Sequence, residues 1–570
     1  MLRVIKNSPK GAAALGVLLL YLLVRIALPS ADAMASIPEA DTGVVEPLVP
    51  AGFFAEREPH VDQPSARNVS GEVADEPSPQ LVETGTIARG TIAIDAALQG
   101  DLESLVSKWF QKASSASKGK LTGDGTQISV HVRSLVGSDT LASIQGERIL
   151  RPASNLKVAT SAAALLLLGS WGGGEYQTAF EGKGAISGGV LHGDLVVHAG
   201  GDPLVRDGSL GATESRLDEV AEALLAAGVR RIAGDIVLNE GDFLEPGIGP
   251  AWPSADQHWN DYCARAAGLT INGGVLVAQV TPGKSGAKAS ISVHPSPHGL
   301  ERNYSVSTVS GTTSNVMVGA TSSSVTVKGK IGSKLSSVVS DFAHPDPVGM
   351  FGTVLKDRIT RANIQVDGGV VRRRGPPPGE NILYMLTSPV LDSLVPINTH
   401  SNNGVADQLF FTLGHRIAGA GTREGGSEAI AKALALAGVD GAGLVQVDGS
   451  GLSRDNRISP SQLTALLQAV LKGLPNSDPV SQTFLNSLAV MGETGKLAKR
   501  MRGTLGEGHV FAKTGFIDGT SSLSGIAITP DGYGVIFSII VNYPTLGSLN
   551  NVAWKPMQDE MVLRMLELKF

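Results

Sequence analysis

The chain has 570 residues, 42% of them hydrophobic, with a formal net charge of −6 and one cysteine. That length lies well above the size at which a single core stops growing, so more than one domain is expected. The mild acidic balance, with Lys and Arg scattered, excludes the basic footprint that a nucleic-acid partner needs, and one thiol excludes both an intrachain disulfide framework and a cysteine zinc site.

The start of the chain carries Arg3, Lys6 and Lys10, then an apolar run from Ala12 to Val24 and the small-residue stretch Ala31-Asp-Ala-Met-Ala35. This is the pattern of a secretory signal over residues 1–35, with Ala31/Ala33 and Ala33/Ala35 both fitting a small-x-small cleavage site. The alternative is an uncleaved anchor that tilts past Arg25, which would be the chain's only membrane contact. Residues 36–90 are rich in Pro, Glu, Asp, Val and Ser without periodicity, and are expected to form a disordered linker. Order is expected from about Thr91, where Ile92, Leu98, Leu102, Leu105, Trp109 and Phe110 fall mostly at helical spacing. Gln127 to Leu135 alternates apolar and polar side chains, and Thr140 to Leu150 reads as the returning arm of a hairpin.

Pro152-Ala-Ser-Asn-Leu-Lys157 runs into the continuous apolar segment Val158 to Leu168, the signature of a buried helix. From about Gly182 to Val370 short β-branched segments alternate with Gly, Pro and Ser, which predicts inserted β-rich structure. Helical spacing returns at Gly404 to Ala418, Glu428 to Ala437 and Ser459 to Leu471. A closing strand set is then predicted over His509–Gly515, Leu523–Thr529 and Gly532–Asn542, followed by a helix from Met557 to Leu568.

Residues three apart on a helix share a face, so Ser154 and Lys157 would present a hydroxyl and an amine side by side. A lysine made neutral by burial or by a nearby cation can serve as base for a serine. Ser115/Lys118, Ser117/Lys120 and Ser285/Lys288 match the spacing too, but lie in polar stretches that read as solvated surface. Ser401 and Asn403 stand two apart just ahead of a predicted helix, and Lys513-Thr514-Gly515 lies on a predicted strand. Only one combination in the chain gives Ser-x-x-Lys, Ser-x-Asn and Lys-Thr-Gly in order with fitting local structure. His400 neighbours Ser401, but adjacent residues seldom face each other, and there is no Gly-x-Ser-x-Gly, so a His400 base is set aside. The eleven histidines show no metal-binding spacing. Cys263 reads as a small buried hydrophobe, and Asp448-Gly-Ser-Gly451 as a turn that shapes the cleft floor.

This ordered triple resembles the penicillin-recognising serine DD-peptidases. Within them the chain is similar to the class C low-molecular-mass, penicillin-binding protein 4 type of D-alanyl-D-alanine carboxypeptidase/endopeptidase, peptidase family S13. Pro152-Ala-Ser-Asn-Leu-Lys157, Gly200-Gly-Asp-Pro203, Asp448-Gly-Ser-Gly-Leu-Ser453 and the long insertion between the first two motifs carry that resemblance, from about Thr91 to the C-terminus. It implies an α+β fold, a serine β-lactamase/DD-transpeptidase-like domain with an antiparallel sheet covered by helices. This domain would be built from residues 91–180 and 376–570, with inserted β-rich domains over 181–375, of which about 271–340 is a nested insertion.

The resemblance further implies Ser154 as acylated nucleophile, Lys157 as its proton acceptor, Ser401 as proton shuttle and Asn403 as holder of the substrate peptide or of Lys157. Lys513 and Thr514 would receive the terminal carboxylate, with Lys513 also lowering the pKa of Lys157, and Gly515 completes the motif. The N–H groups of Ser154 and Phe516 would form the oxyanion hole. Phe516 departs from the small hydroxyl residue expected after Lys-Thr-Gly, so its bulk bears on which donor strand fits. Implied partners are peptidoglycan stem peptides and cross-links, with β-lactams as covalent inhibitors, in the periplasm or cell envelope. No metal or cofactor is implied, and a homodimer is left open. Two other readings are a serine β-lactamase, which the inserted third argues against, and a catalytically idle wall-binding scaffold, which the intact motifs argue against.

Overall fold

The computed structural model describes residues 67–68 and 95–569, apart from 138, 169–173, 208–214 and 245–246. These residues all belong to the contact unit spanning 65–570. The expected signal over 1–35 and the linker lie outside the described residues, the linker apart from Arg67 and Asn68.

The first helix, α1 (Ala96–Ala116), starts where the Asp95 carboxylate accepts from the N–H groups of Ala97 and Leu98, and buries Leu98, Leu102, Leu105, Trp109 and Ala113 along one stripe. Strands β1 (Gln127–Ser134) and β2 (Thr140–Ile144) form the expected hairpin, the second arm ending six residues earlier than its pattern suggested. A single 3-10 turn, Ala153–Asn155, leads into α2 (Leu156–Leu168), buried on all sides from Leu156 to Leu165. An all-apolar helix of this kind is a core element, and α2 runs through the centre of the largest core.

The inserted segment begins with β3 (Glu175–Lys183) and β4 (Asp194–His198), then α3 (Asp218–Ala226) and β5 (Ile236–Asn239). Six further strands follow: β6 (Val275–Thr281), β7 (Ser290–His294), β8 (Glu301–Val309), β9 (Met317–Ala320), β10 (Ser324–Gly332) and β11 (Val338–Ala343). Then come α4 (Pro347–Arg361), β12 (Val370–Arg372) and β13 (Ile382–Pro389). One sheet has the order β12-β5-β4-β3-β13, with β12, β5 and β4 parallel and the other pairs antiparallel. Because β3 and β13 belong to it, this sheet reaches across the borders placed at 181 and 375. Within the nested stretch, β11-β6-β7 pair antiparallel while β8 and β10 pair parallel.

Two helices of this segment, α3 and α4, depart from the β-rich expectation. α4 carries Pro347 at its first turn and glycines at 349 and 352. A Cβ on Gly352 would lie 2.5 Å from Val370 and 2.7 Å from Leu238, so the glycine that weakens the helical signal is what lets α4 lie down on the sheet.

The chain then forms α5 (Asn403–Ala418), α6 (Arg423–Leu436), α7 (Pro460–Leu471, entered through a Ser459–Gln462 capping box) and α8 (Pro479–Ser487). Last come β14 (Ala489–Val490), β15 (Val510–Ile517), β16 (Thr520–Ile528), β17 (Gly534–Asn542) and α9 (Lys555–Leu566). The main sheet has the order β14-β15-β16-β17-β1-β2, and every pair in it is antiparallel. Strand β17 shows why it is central. Val535, Phe537, Ile539 and Val541 face a core shared with α1 and α9, while Ile536 and Ile540 face the core that holds α2 and α7. The layers are therefore helix, antiparallel sheet, helix: an α+β fold with extra domains.

Candidate active site

Ser154 sits in the 3-10 turn where the chain enters α2, and the turn is gripped from two sides. On the sheet side the Ser522 hydroxyl donates to the Pro152 carbonyl at 2.7 Å, and the Asn155 amide donates to the Ser524 hydroxyl at 2.6 Å. Gly515 permits this approach, since a Cβ there would strike the Ser522 hydroxyl and lie 2.8 Å from the Pro152 carbonyl. On the other side Gly451, at φ +79°, has no room for a Cβ against the Ala153 carbonyl. Ala153 itself is held at φ +49°, a strained value for a residue with a side chain.

One helical turn on, the Lys157 amine lies 3.2 Å from the Ser154 hydroxyl and donates at 2.6 Å to both the Asn403 Oδ1 and the Ser450 carbonyl. The side chain is fully buried. Burial lowers its pKa to about 8, against the pull of the Asp407 and Asp448 carboxyls, which favour the charged form. Three oxygens thus surround an amine whose charge is only modestly stable.

Asn403 opens α5 behind Asn402, whose side chain caps the helix by accepting from the Val405 N–H at 3.0 Å. Its amide donates at 2.7 Å to the carbonyl of Tyr262, so the inserted segment is tied to the site. Ser401, just outside the helix, adopts a left-handed φ of +61°. Its hydroxyl accepts at 2.8 Å from the Lys513 amine, which also donates to the Thr514 carbonyl at 2.7 Å. Lys513 is fully buried, and its pKa is pushed well below the ordinary lysine range by burial first and then by the charges of Lys157 and Lys496. For Lys157 burial is the leading cause of the downward shift.

The six residues Ser154, Lys157, Ser401, Asn403, Lys513 and Gly515, drawn from three distant stretches of chain, therefore meet at one place. Thr514 and Phe516 lie on the same strand. β14 pairs only with Phe511 and Ala512, so from Lys513 to Ile517 that edge of β15 has no strand partner among the described residues. Phe516 is 53% exposed there, and Tyr262 is 38% exposed. His400 is exposed, and Cys263 is buried with its thiol pushed up to about 12, chiefly by burial.

Sequence reasoning missed two contributors. The turn Asp448–Gly451 does more than shape a floor, because its Ser450 carbonyl binds Lys157 directly. Asp448 builds that loop by accepting from the N–H groups of Gly451 and Ser453, both at 2.7 Å, and from the Asn456 amide at 2.8 Å. Asp407, fully within α5, is the second. Its only sequence signal was an acidic residue in the mostly apolar stretch from Val405 to Leu413.

Comparison with known proteins shows the family. Residues 113–567 match the model of the D-Ala-D-Ala carboxypeptidase 3 (S13) family. A D-alanyl-D-alanine carboxypeptidase of Actinomadura sp. (strain R39) is 32% identical over 455 residues, covering 77% of this chain and 80% of that protein. The D-alanyl-D-alanine carboxypeptidase DacB of Haemophilus influenzae is 24% identical over 444 residues, covering 75% of this chain and 88% of that one. The crystal structure of penicillin binding protein 4 from Haemophilus influenzae superposes with a TM-score of 0.65 at 23% identity, over 81% of this chain and 98% of that one, which shows a shared fold. With the match running through almost the whole described chain, and the motif residues gathered around one buried lysine, the chain belongs to the D-Ala-D-Ala carboxypeptidase 3 (S13) family.

Proposed function

We propose that this protein is a serine D-Ala-D-Ala carboxypeptidase and DD-endopeptidase acting on peptidoglycan stem peptides and cross-links through an acyl-enzyme, with β-lactams as covalent inhibitors. The observation that carries the reading is the Lys157 amine held between the Ser154 hydroxyl, the Asn403 side chain and the Ser450 carbonyl. Such an amine, near pKa 8, is a base matched to neutral solution.

In this reading the Ser154 hydroxyl attacks the carbonyl of the D-Ala-D-Ala bond and Lys157 takes its proton. The Ser154 and Phe516 N–H groups receive the developing oxyanion, a term usually worth several kcal/mol. Ser401, in contact with the Lys513 amine, passes a proton to the departing amine, and Asn403 fixes Lys157 and the substrate peptide. Lys513 and Thr514 bind the terminal carboxylate, whose charge opposes the effect of burial and favours the protonated Lys513 amine. Gly515 lets the peptide lie along the open edge of β15 beside the nucleophile, as an added strand. Water then cleaves the ester with Lys157 again as proton carrier.

The inserted segment, proposed as separate domains between the two halves of the catalytic domain, supports a long substrate rather than a small antibiotic, since it reaches the site through Tyr262. Action on peptidoglycan, together with the signal-like sequence of residues 1–35, supports export to the periplasm or cell envelope. The reading is tested by D-Ala release from a stem pentapeptide: release by the wild-type chain and none by Ser154→Ala supports it, and equal release by both overturns it.

A further inference from the structure

Asp407 follows Asn403 by one turn of α5, so the two side chains leave the same face of the helix. It is 3% exposed, and neither carboxyl oxygen closes a hydrogen bond of good geometry with another described residue, although Ser450 stands near enough to stabilise its charge. A buried carboxyl without firm partners is costly to retain. The neighbouring Asp448 is accounted for by the loop that it holds together. Asp407 meets the same loop through Ser450, whose side chain and backbone both favour its charged form.

Its charged and titratable neighbours are Lys157 from α2, Asp448 from the loop and Cys263 from the turn 261–263, with Lys513 beyond Lys157. The two buried lysines differ in the sign of their charged neighbours. Lys513 has cations, Lys157 and Lys496, as its charged neighbours and is pushed well below the ordinary range. Lys157, equally buried, is lowered to about 8 by burial, while its charged neighbours Asp407 and Asp448 act in the opposite direction. An amine that burial alone had stripped of basicity would be neutral, yet too weak to draw the proton from a serine.

We propose that Asp407 is a positioning residue for acylation: its buried carboxyl, facing Lys157 alongside Asn403 and the Ser450 carbonyl, is the counter-charge of that amine whenever it carries a proton. This rests on Lys157 being the base for Ser154. As the bond from the Ser154 oxygen to the substrate carbonyl carbon forms, the serine proton passes to Lys157, and the new ammonium ion meets the Asp407 carboxylate without any proton reaching Asp407. The support is mutual, because the Lys157 charge opposes the upward shift that burial and Asp448 impose on the Asp407 carboxyl.

The test is the rate of acylation by a fluorescent penicillin, followed from mildly acid to mildly alkaline pH in the full chain and in Asp407→Asn, Asp407→Ser, Asp407→Glu and Lys157→Ala, with thermal melting as the check of folding. In the folded Asn variant the midpoint of the acid limb moves down by roughly one pH unit or more and the plateau rate falls. The Ser variant, smaller and open to water, reads the same midpoint if the Asn variant does not fold. The Glu variant moves the midpoint back towards wild type. A wild-type midpoint in a folded Asn or Ser variant overturns the role of Asp407. Normal acylation by Lys157→Ala instead overturns the reading of Lys157 itself, so the two failures are told apart.

Discussion

The Lys157 amine donates to the Asn403 side chain at 2.6 Å, joining the first turn of α2 to the first turn of α5 across 246 residues of chain. The Asn403 amide passes the connection on to the Tyr262 carbonyl. Removing this bridge leaves a buried amine short of one acceptor and a carbonyl short of one donor. Asn403→Ala is expected to slow acylation by about ten- to a hundredfold, the equivalent of the ~1.5–3 kcal/mol carried by a hydrogen bond to a charged group. Stopped-flow acylation by a fluorescent penicillin, with a melting curve for the same variant, checks it.

The pH dependence follows from Lys157. Its free base is the working form, so the acylation rate should rise about tenfold per pH unit on the acid side and level off near the group's pKa of about 8. Stability carries the same signature. Between about 8 and the ordinary value of 10.5 the unfolded chain binds the proton that the native chain has lost, so this group's contribution to stability rises with pH across that window. A rate profile that falls from acid to neutral pH would contradict the assignment of the base.

Gly515→Ala places a methyl group against the Pro152 carbonyl and the Ser522 hydroxyl. Overpacking of this kind costs about 1–3 kcal/mol, and here the strain bears on the turn that holds Ser154. A melting temperature lower by a few degrees, together with a loss of acylation larger than the stability change explains, is the expected result.

Phe516→Thr alters an exposed side chain and keeps the backbone N–H. Stability should change by no more than about 0.5 kcal/mol. Acylation should persist, with the ratio of rates for bulky and compact β-lactams shifted, measurable by competition between two penicillins that differ in side chain.

How much of this was legible in the sequence depended on whether the signal was local. Ser154 and Lys157 stand three apart, a spacing that three other Ser/Lys pairs share, and the apolar run that follows singled this pair out; the central strand β17 could likewise be read from its apolar run. The Lys513–Ser401 contact joins residues 112 apart, and no spacing encodes it; only the resemblance did. Lys157's bond to the Ser450 carbonyl was invisible because a carbonyl belongs to every residue. α4 was missed because Pro347, Gly349 and Gly352 serve packing and chain entry at the expense of helical propensity. The parallel pairing of β4, β5 and β12 was missed for a related reason, since the crossover helices that announce it were not recognised.

The most direct measurement is the intact mass of a soluble form starting near Ser36 after incubation with benzylpenicillin, followed by peptide mapping, beside a Ser154→Ala control. The account predicts one covalent penicilloyl group on the peptide that holds Ser154, stable on the time scale of the experiment and absent from the control. An adduct that persists in Ser154→Ala, or no adduct and no hydrolysed penicillin in the wild-type chain, would contradict it.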